Sequence, residues 1–152
     1  MKRGGDTRGS AGTASRARSA PSQRGRVLVC DDDPGVRQMI TDALAGKSVV
    51  VETANRAMDA IQKIMRTRYH ALILDLKMPG LGGLDSIPII KQIDETLPII
   101  VVTGYSSYET ERAARVAGVF YYLVKPFPLD ELAKAVAAAR RVRRGAKGKK
   151  RG

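Results

Sequence analysis

Arg26-Val27-Leu28-Val29-Cys30-Asp31-Asp32-Asp33-Pro34-Gly35-Val36 is the stretch on which the fold turns. Four apolar residues run without a polar interruption, as in a short strand covered on both faces. Asp33 is then placed as a helix N-cap and Pro34 at the first helical position, so a helix opens at once. A strand buried on both sides that feeds straight into a helix begins a βαβ unit. Asp31 and Asp32 are needed for neither duty.

The pattern recurs along the chain. Apolar runs appear again at Val49–Val51, Ala71–Leu74, Ile99–Val102 and Tyr121–Val124. Helical spacing separates them. Val36, Met39, Ile40, Ala43 and Leu44 line one face, and Ala57, Ala60, Ile61, Ile64 and Met65, behind Asn55, line a second. A third helix is predicted to start near Asp85 or Ser86, because Pro88 belongs in a first turn. Ser106 and Glu109 form a capping box for a fourth, which Gly118 ends. Leu129, Leu132, Ala133, Val136 and Ala137 line the last. Five alternations predict an α/β, doubly wound parallel sheet with no internal repeat. Met39, Met58 and Met65 are expected in the core, Cys30 as an inert buried thiol, and His70 at the surface.

The 152 residues, 43% of them apolar, suit one globular domain. The net charge of +12 is concentrated in the tails. Residues 1–26 hold seven bases and one acid, and residues 140–152 eight bases and none. The 12 bases and 14 acids left between them make the domain mildly acidic, which argues against a nucleic-acid-binding domain despite the high pI. The expected division is a disordered basic tail over 1–24, a domain over 25–143 and a second basic tail over 144–152. Arg140, Arg141, Arg143 and Arg144 with the lysines that follow could hold nucleic acid or an anionic surface. No apolar stretch is long enough to span a membrane, and nothing apolar follows the first bases as in a secretory signal. A single cysteine predicts a reducing, cytoplasmic setting.

In an open α/β sheet, ligands collect beyond the carboxyl ends of the strands. There the first strand delivers Asp31 and Asp32, the third Asp75, the fourth Thr103 and the fifth Lys125. Two carboxylates about 4 Å apart repel by roughly 4 kcal/mol at an effective dielectric near 20. They need a cation, and oxygen donors without His or Cys select a hard one, Mg²⁺ or Mn²⁺. Metal, lysine and hydroxyl around one carboxylate are what a phosphorylated aspartate requires.

These stretches resemble response-regulator receiver domains of two-component signalling, single-domain and chemotaxis-receiver-like, over about residues 25–143. The resemblance rests on Val27–Pro34, on Leu72–Pro79 with Gly83, on Val102-Thr103-Gly104 and on Val124-Lys125-Pro126-Phe127. It implies a flavodoxin-like sheet in the order 2-1-3-4-5. Asp75 would be the phosphoacceptor and Asp32 a direct Mg²⁺ ligand, with Asp31 acting through water and the Lys77 carbonyl as a further ligand. Thr103 and Lys125 would hold phosphoryl oxygens, and Thr103 with Tyr122, whose ring would swing inward, would switch the surface of the fourth helix, fifth strand and fifth helix. Lys77 and Tyr105 could shield the acyl phosphate from water. The implied donor is a sensor histidine kinase or a histidine phosphotransfer protein, and the output an unknown protein partner. The chain would be a phosphoacceptor module and not an enzyme, catalysing only its own phosphorylation and dephosphorylation. Only some ten residues follow the last helix, so a stand-alone regulator is expected, with a phosphorelay intermediate as the alternative. A phosphohydrolase would want a second aspartate where Lys77 stands, and a flavin site a hydroxyl-rich loop where the acids stand.

Overall fold

The computed structural model describes residues 24–151, with side chains described to residue 145. The basic tail expected over 1–24 lies almost wholly outside the described residues. The elements are β1 (Gly25–Cys30), α1 (Pro34–Leu44), β2 (Val49–Ala54), α2 (Ala57–Arg66), β3 (Ala71–Leu74), α3 (Gly83–Ile93), β4 (Ile99–Thr103), α4 (Tyr108–Val116), β5 (Tyr121–Val124) and α5 (Leu129–Arg151). The five strands are all parallel, in the order β2-β1-β3-β4-β5.

The unbroken apolar runs have a simple cause. Alternate residues feed two separate cores. Leu28, Cys30, Leu72, Leu74, Ile99 and Val101 point toward α2, α3 and α4, and meet Ala60, Ile61, Ile64, Ile87, Ile90 and Ala114. Val27, Val29, Ile73, Ile100, Val102 and Leu123 point the other way, onto Ile40 and Leu44 of α1 and Leu132, Val136 and Ala139 of α5. Edge strand β2 is only half-buried. None of the described helices is long and apolar enough to cross a membrane.

Helix ends follow local chemistry, with some departures from expectation. Asp33 caps α1 through Oδ1, which accepts the Gly35 N–H at 2.8 Å, with Pro34 in the first turn. Such a cap is worth about 1 kcal/mol. α2 is preceded by Arg56 rather than Asn55 and has no side-chain cap. α3 starts at Gly83, earlier than predicted, so Pro88 lies inside it on the exposed side. The Ser86 hydroxyl donates to the Gly83 carbonyl at 2.6 Å and closes that first turn. α4 is capped by Ser107, not Ser106; its Oγ accepts the Thr110 N–H at 3.1 Å. Gly118, at φ +95°, ends α4 as expected, with its N–H on Arg115 and the Val119 N–H on Ala114. Met39, Met58 and Met65 are exposed rather than in the core. Each stands beside the buried stripe of its helix, at a spacing that periodicity alone does not resolve from it.

Two residues at the amino-terminal edge of the sheet turn out to be structural. His70 is half-buried, and its Nδ1 accepts the Arg26 N–H at 2.9 Å. Arg143, expected at the free end of the last helix, is fully buried. Its Nε donates to the Tyr69 carbonyl at 3.0 Å, and its fork holds Asp94 and the Thr96 hydroxyl. It therefore pins α5 to the α3–β4 turn and is withdrawn from any anionic partner of the basic tail. Helical backbone continues past it to Arg151, where fraying was expected from about residue 143. Alanine, arginine and lysine are good helix formers, which offsets the cost of Gly145 and Gly148.

Removing one partner of a buried pair leaves the other charge without compensation. Asp94 is itself partly exposed, so Asp94→Ala should lower stability by about 3 kcal/mol in urea unfolding, the low end of the range for a buried pair. Glu111→Ala, which breaks the exposed Arg115–Glu111 pair, should cost less than about 0.5 kcal/mol. Equal losses would mean that Arg143 does not anchor α5.

Candidate phosphoacceptor and metal site

The last rungs of the parallel ladder bring the acids together. The Asp31 N–H donates to the Ala54 carbonyl at 3.2 Å, and the Asp75 N–H to the Cys30 carbonyl at 3.0 Å. On the far side, the Lys125 N–H donates to the Thr103 carbonyl at 2.8 Å. Asp31 and Asp75 thus each stand one step past a buried strand, and Lys125 one step past edge strand β5, on backbone the sheet holds fixed.

Asp31, Asp32 and Asp75 each place a carboxylate oxygen within 4.8 Å of the others, the one such cluster of metal-ligating residues among the described residues. Asp31 and Asp75 are buried, while Asp32 is exposed. The Lys125 ammonium reaches between them, 2.9 Å from Asp31 Oδ2 and 3.7 Å from Asp75 Oδ2. Burial raises the Asp75 pKa above the ordinary carboxylate value, the Asp31 and Asp32 charges add to it, and the Lys77 N–H and Lys125 only partly offset it. Burial alone would lower the Lys125 pKa, but its hydrogen bond to Asp31 and the two nearby carboxylates outweigh that and raise it. Three carboxylates against one ammonium leave the pocket short of positive charge, and every donor is a hard oxygen. The nearest thiol, Cys30, is turned to the Met78 sulfur at 3.7 Å, with a pKa pushed up by burial to about 12. The residues present therefore fit a hard divalent cation.

The other predicted residues surround this centre. Asp33 serves the helix, and its N–H donates to Asp31 Oδ1 at 3.0 Å. The Lys77 N–H donates to Asp75 Oδ1 at 3.2 Å, so the backbone folds back beside the acceptor. Thr103 is fully buried, and its Oγ1 accepts the Tyr105 N–H at 3.1 Å. Leu74 pairs with Val101, so Thr103 lies one residue beyond the level of Asp75 on the neighbouring strand. Tyr122 already lies inside, its hydroxyl hydrogen-bonded to Ser106 Oγ at 3.0 Å, so an inward swing is not the motion left to it. The Lys77 ammonium sits 4.3 Å from the centre of the Tyr105 ring, a cation–π contact that joins the two loops on either side of the pocket.

The sequence reading missed Arg37 and the job of Ser106. Arg37 Nη1 donates to the Asp31 carbonyl at 2.8 Å and fixes the loop that carries the acid pair. Its place one turn after the cap Asp33 is the signal that could have found it. Gly83 has an equally local reason. A Cβ there would come within 2.3 Å of the Asp75 carbonyl oxygen and 2.6 Å of the Leu76 Cα.

The family model for the response regulator receiver domain matches residues 27–137. This chain belongs to that family. The receiver segment is similar to the response regulator MprA of Mycobacterium leprae, 37% identical over 113 residues, which is 74% of this chain and 50% of that protein. It is also similar to the DNA-binding transcriptional regulator NtrC of Escherichia coli K12, 35% identical over 117 residues, 77% of this chain and 25% of that protein. The chain thus spans a quarter to a half of the length of these relatives. Among solved structures, the signal receiver domain of a putative LuxO repressor from Vibrio parahaemolyticus superposes with a TM-score of 0.78 at 27% identity, over 82% of this chain and 95% of that one. Chemotaxis protein CheY4 of Vibrio cholerae superposes at 0.71 and 28% identity, over 76% and 98%.

Replacing Gly83 by Ala should push the start of α3 away from the strand that carries Asp75. Overpacking of this kind costs about 1–3 kcal/mol. The expected result is a lower thermal midpoint together with weaker Mg²⁺ binding by calorimetry. An unaltered midpoint and an unaltered Mg²⁺ affinity would show that the close approach is not needed.

Proposed function

We propose that Asp75 accepts a phosphoryl group from a phosphohistidine on a sensor kinase or histidine phosphotransfer protein. The observation that carries this is the convergence of Asp31, Asp32, Asp75 and Lys125 in one pocket. The Asp75 carboxylate attacks phosphorus, the phosphorus–nitrogen bond breaks, and the electron pair leaves on the donor imidazole. A carboxylate–phosphate bond results. Lys125, already lodged between Asp31 and Asp75, pairs with one phosphoryl oxygen, and the Thr103 hydroxyl donates to another. Asp32, Asp75 and the Lys77 carbonyl would hold Mg²⁺ or Mn²⁺, with Asp31 acting through water. When bound, the ion neutralises charge on the phosphoryl group as it transfers. The protein supplies little else beyond orientation.

Thr103 also carries the signal in this reading. Its Oγ1 holds the Tyr105 N–H, and the adjacent Ser106 holds the Tyr122 hydroxyl. A hydroxyl drawn toward the phosphoryl group pulls this loop and loads the Ser106–Tyr122 bond. The surface of α4, β5 and α5, where Tyr108, Val116, Tyr121 and Val124 are exposed, changes with it. The Lys77–Tyr105 contact would stand over the acylphosphate and limit the approach of water; the proximity of the two side chains supports this. The downstream partner is a protein that docks on this surface.

Incubation with acetyl phosphate and Mg²⁺ should add one phosphoryl group by intact mass, and none to Asp75→Ala or without metal. The same time course on Lys77→Ala should show faster loss of the group. Phosphorylation of Asp75→Ala would remove Asp75 from the role, and an unchanged decay rate would remove the shield.

Thr103→Ala should still accept phosphate, while the Tyr122 ring resonances no longer shift on phosphorylation. A full shift in that variant would break the proposed coupling.

A further inference from the structure

A second concave site lies beside the acidic pocket and opposite to it in charge. It is a groove of about 420 Å³ over the carboxyl end of edge strand β2. Arg37 of α1 forms one wall, Lys63 and Arg66 of α2 the other, and Thr53, Asn55 and Gln62 supply neutral polar groups. Asp59 is the single acid in the lining. Among the described residues none of the three cations has an ion-pair partner. The Arg37 fork gives one N–H to the Asp31 carbonyl, and a guanidinium has five to give.

We propose that this groove binds a small, multiply charged phosphate-bearing anion. The volume lies in the range of small-molecule sites, roughly 300–1,000 Å³. The lining carries two more positive than negative charges, and a single carboxylate would leave half of that excess uncompensated. Guanidinium and ammonium groups lining a partly enclosed space offer the charged donors that phosphate oxygens accept. The acidic pocket, lacking a cation, repels the same ligand, so the two neighbouring sites sort by charge. Arg37 belongs to both: one edge steadies the Asp31 loop and the rest faces the groove. An occupant would therefore bear on the loop that carries the acid pair.

Pyrophosphate is the probe, with the full chain, low salt and no divalent cation. Calorimetry should show binding that weakens with salt, and amide shifts should appear at Thr53, Asn55 and Gln62, and at Asp33 through Arg37. Lys63→Gln with Arg66→Gln should weaken binding about tenfold, the loss expected for a charge-assisted hydrogen bond or two. The single reversal Arg66→Glu, on an exposed position, should do the same. Asp75→Ala should bind pyrophosphate at least as tightly as wild type, because it removes a nearby negative charge, which separates this site from the phosphoacceptor. Equal affinity in the groove variants would place the anion on the basic tails and overturn the proposal. So would loss of binding in Asp75→Ala, or citrate binding as tightly as pyrophosphate.

Discussion

The register of the central strands is the constraint from which the site follows. β1 and β3 run side by side with Cys30 paired to Leu74, so the next residue on each, Asp31 and Asp75, must emerge together. Neither carboxylate can retreat without breaking a rung of a ladder whose residues are all buried. The repulsion is therefore built in by the packing of the sheet. Lys125 relieves part of it, and its own position is set by the rung between β4 and β5. A folded state that concentrates like charges sits below its attainable stability, and whatever binds only that state recovers some of the loss. A divalent cation held by the three carboxylates would do so. The shortage of positive charge that makes the pocket costly favours a cation, and its oxygen donors suit a hard one.

Much of this was legible in the sequence because it depends on spacing along one strand. Unbroken apolar runs report burial on two faces, and the first polar residue after each run reports the sheet edge. Asp31, Asp75 and Lys125 follow from that rule alone. What was not legible depends on contacts between distant segments. The run of bases from Arg140 grouped Arg143 with residues free to meet an anionic partner, and only the meeting of α5 with the α3–β4 turn makes it internal. The three methionines sit at helical positions next to the buried stripe, where a shift of one residue changes inside to outside. Pro88 misled the start of α3, because a proline on an exposed helix side costs less than the rule for helix interiors implies when Ser86 and Gly83 already close the first turn.

The amino-terminal edge of the sheet is organised on a different principle. There Glu52 takes both the Tyr69 hydroxyl and the Arg26 guanidinium, and His70 ties the backbone of β1 to that of β3. Burial leads the causes that lower the His70 pKa, with the charges of Arg68, Arg140 and Arg143 next. An imidazole that must accept at Nδ1 has to be neutral, so these cations favour the state the hydrogen bond needs. Because the folded pKa lies below the ordinary 6.5, this contribution is present above that pH and is lost as pH falls below it. Apart from Arg140 Nε, which is buried without a partner, the polar side chains named at this end are satisfied by one another, whereas the carboxylates at the opposite end are left in conflict.

That asymmetry bears on how a change at Asp75 travels. Firmly paired residues at the amino-terminal edge do not yield, so strain introduced at the carboxyl edge has to be taken up near where it arises. The loop from Thr103 to Ser107 is the segment free to take it up. It is exposed beyond Thr103 and is tied at a few points: the Tyr105 N–H to Thr103, the Tyr105 ring to Lys77, Ser106 to Tyr122, and Ser107 to the start of α4. Two of these ties lead back to the phosphoacceptor and two lead out to α4 and β5. Under the proposed reading, a shift of Thr103 toward the pocket would load these ties, and the weakest would give first. Losing an exposed cation–π contact costs about 0.5–1 kcal/mol, whereas leaving the buried Tyr122 hydroxyl unsatisfied costs about 1–3 kcal/mol, so the Lys77–Tyr105 contact should open before Ser106 releases Tyr122. In the proposed reading, the Lys77–Tyr105 shield and the surface of α4, β5 and α5 would then be linked, because one short loop carries the ties to both.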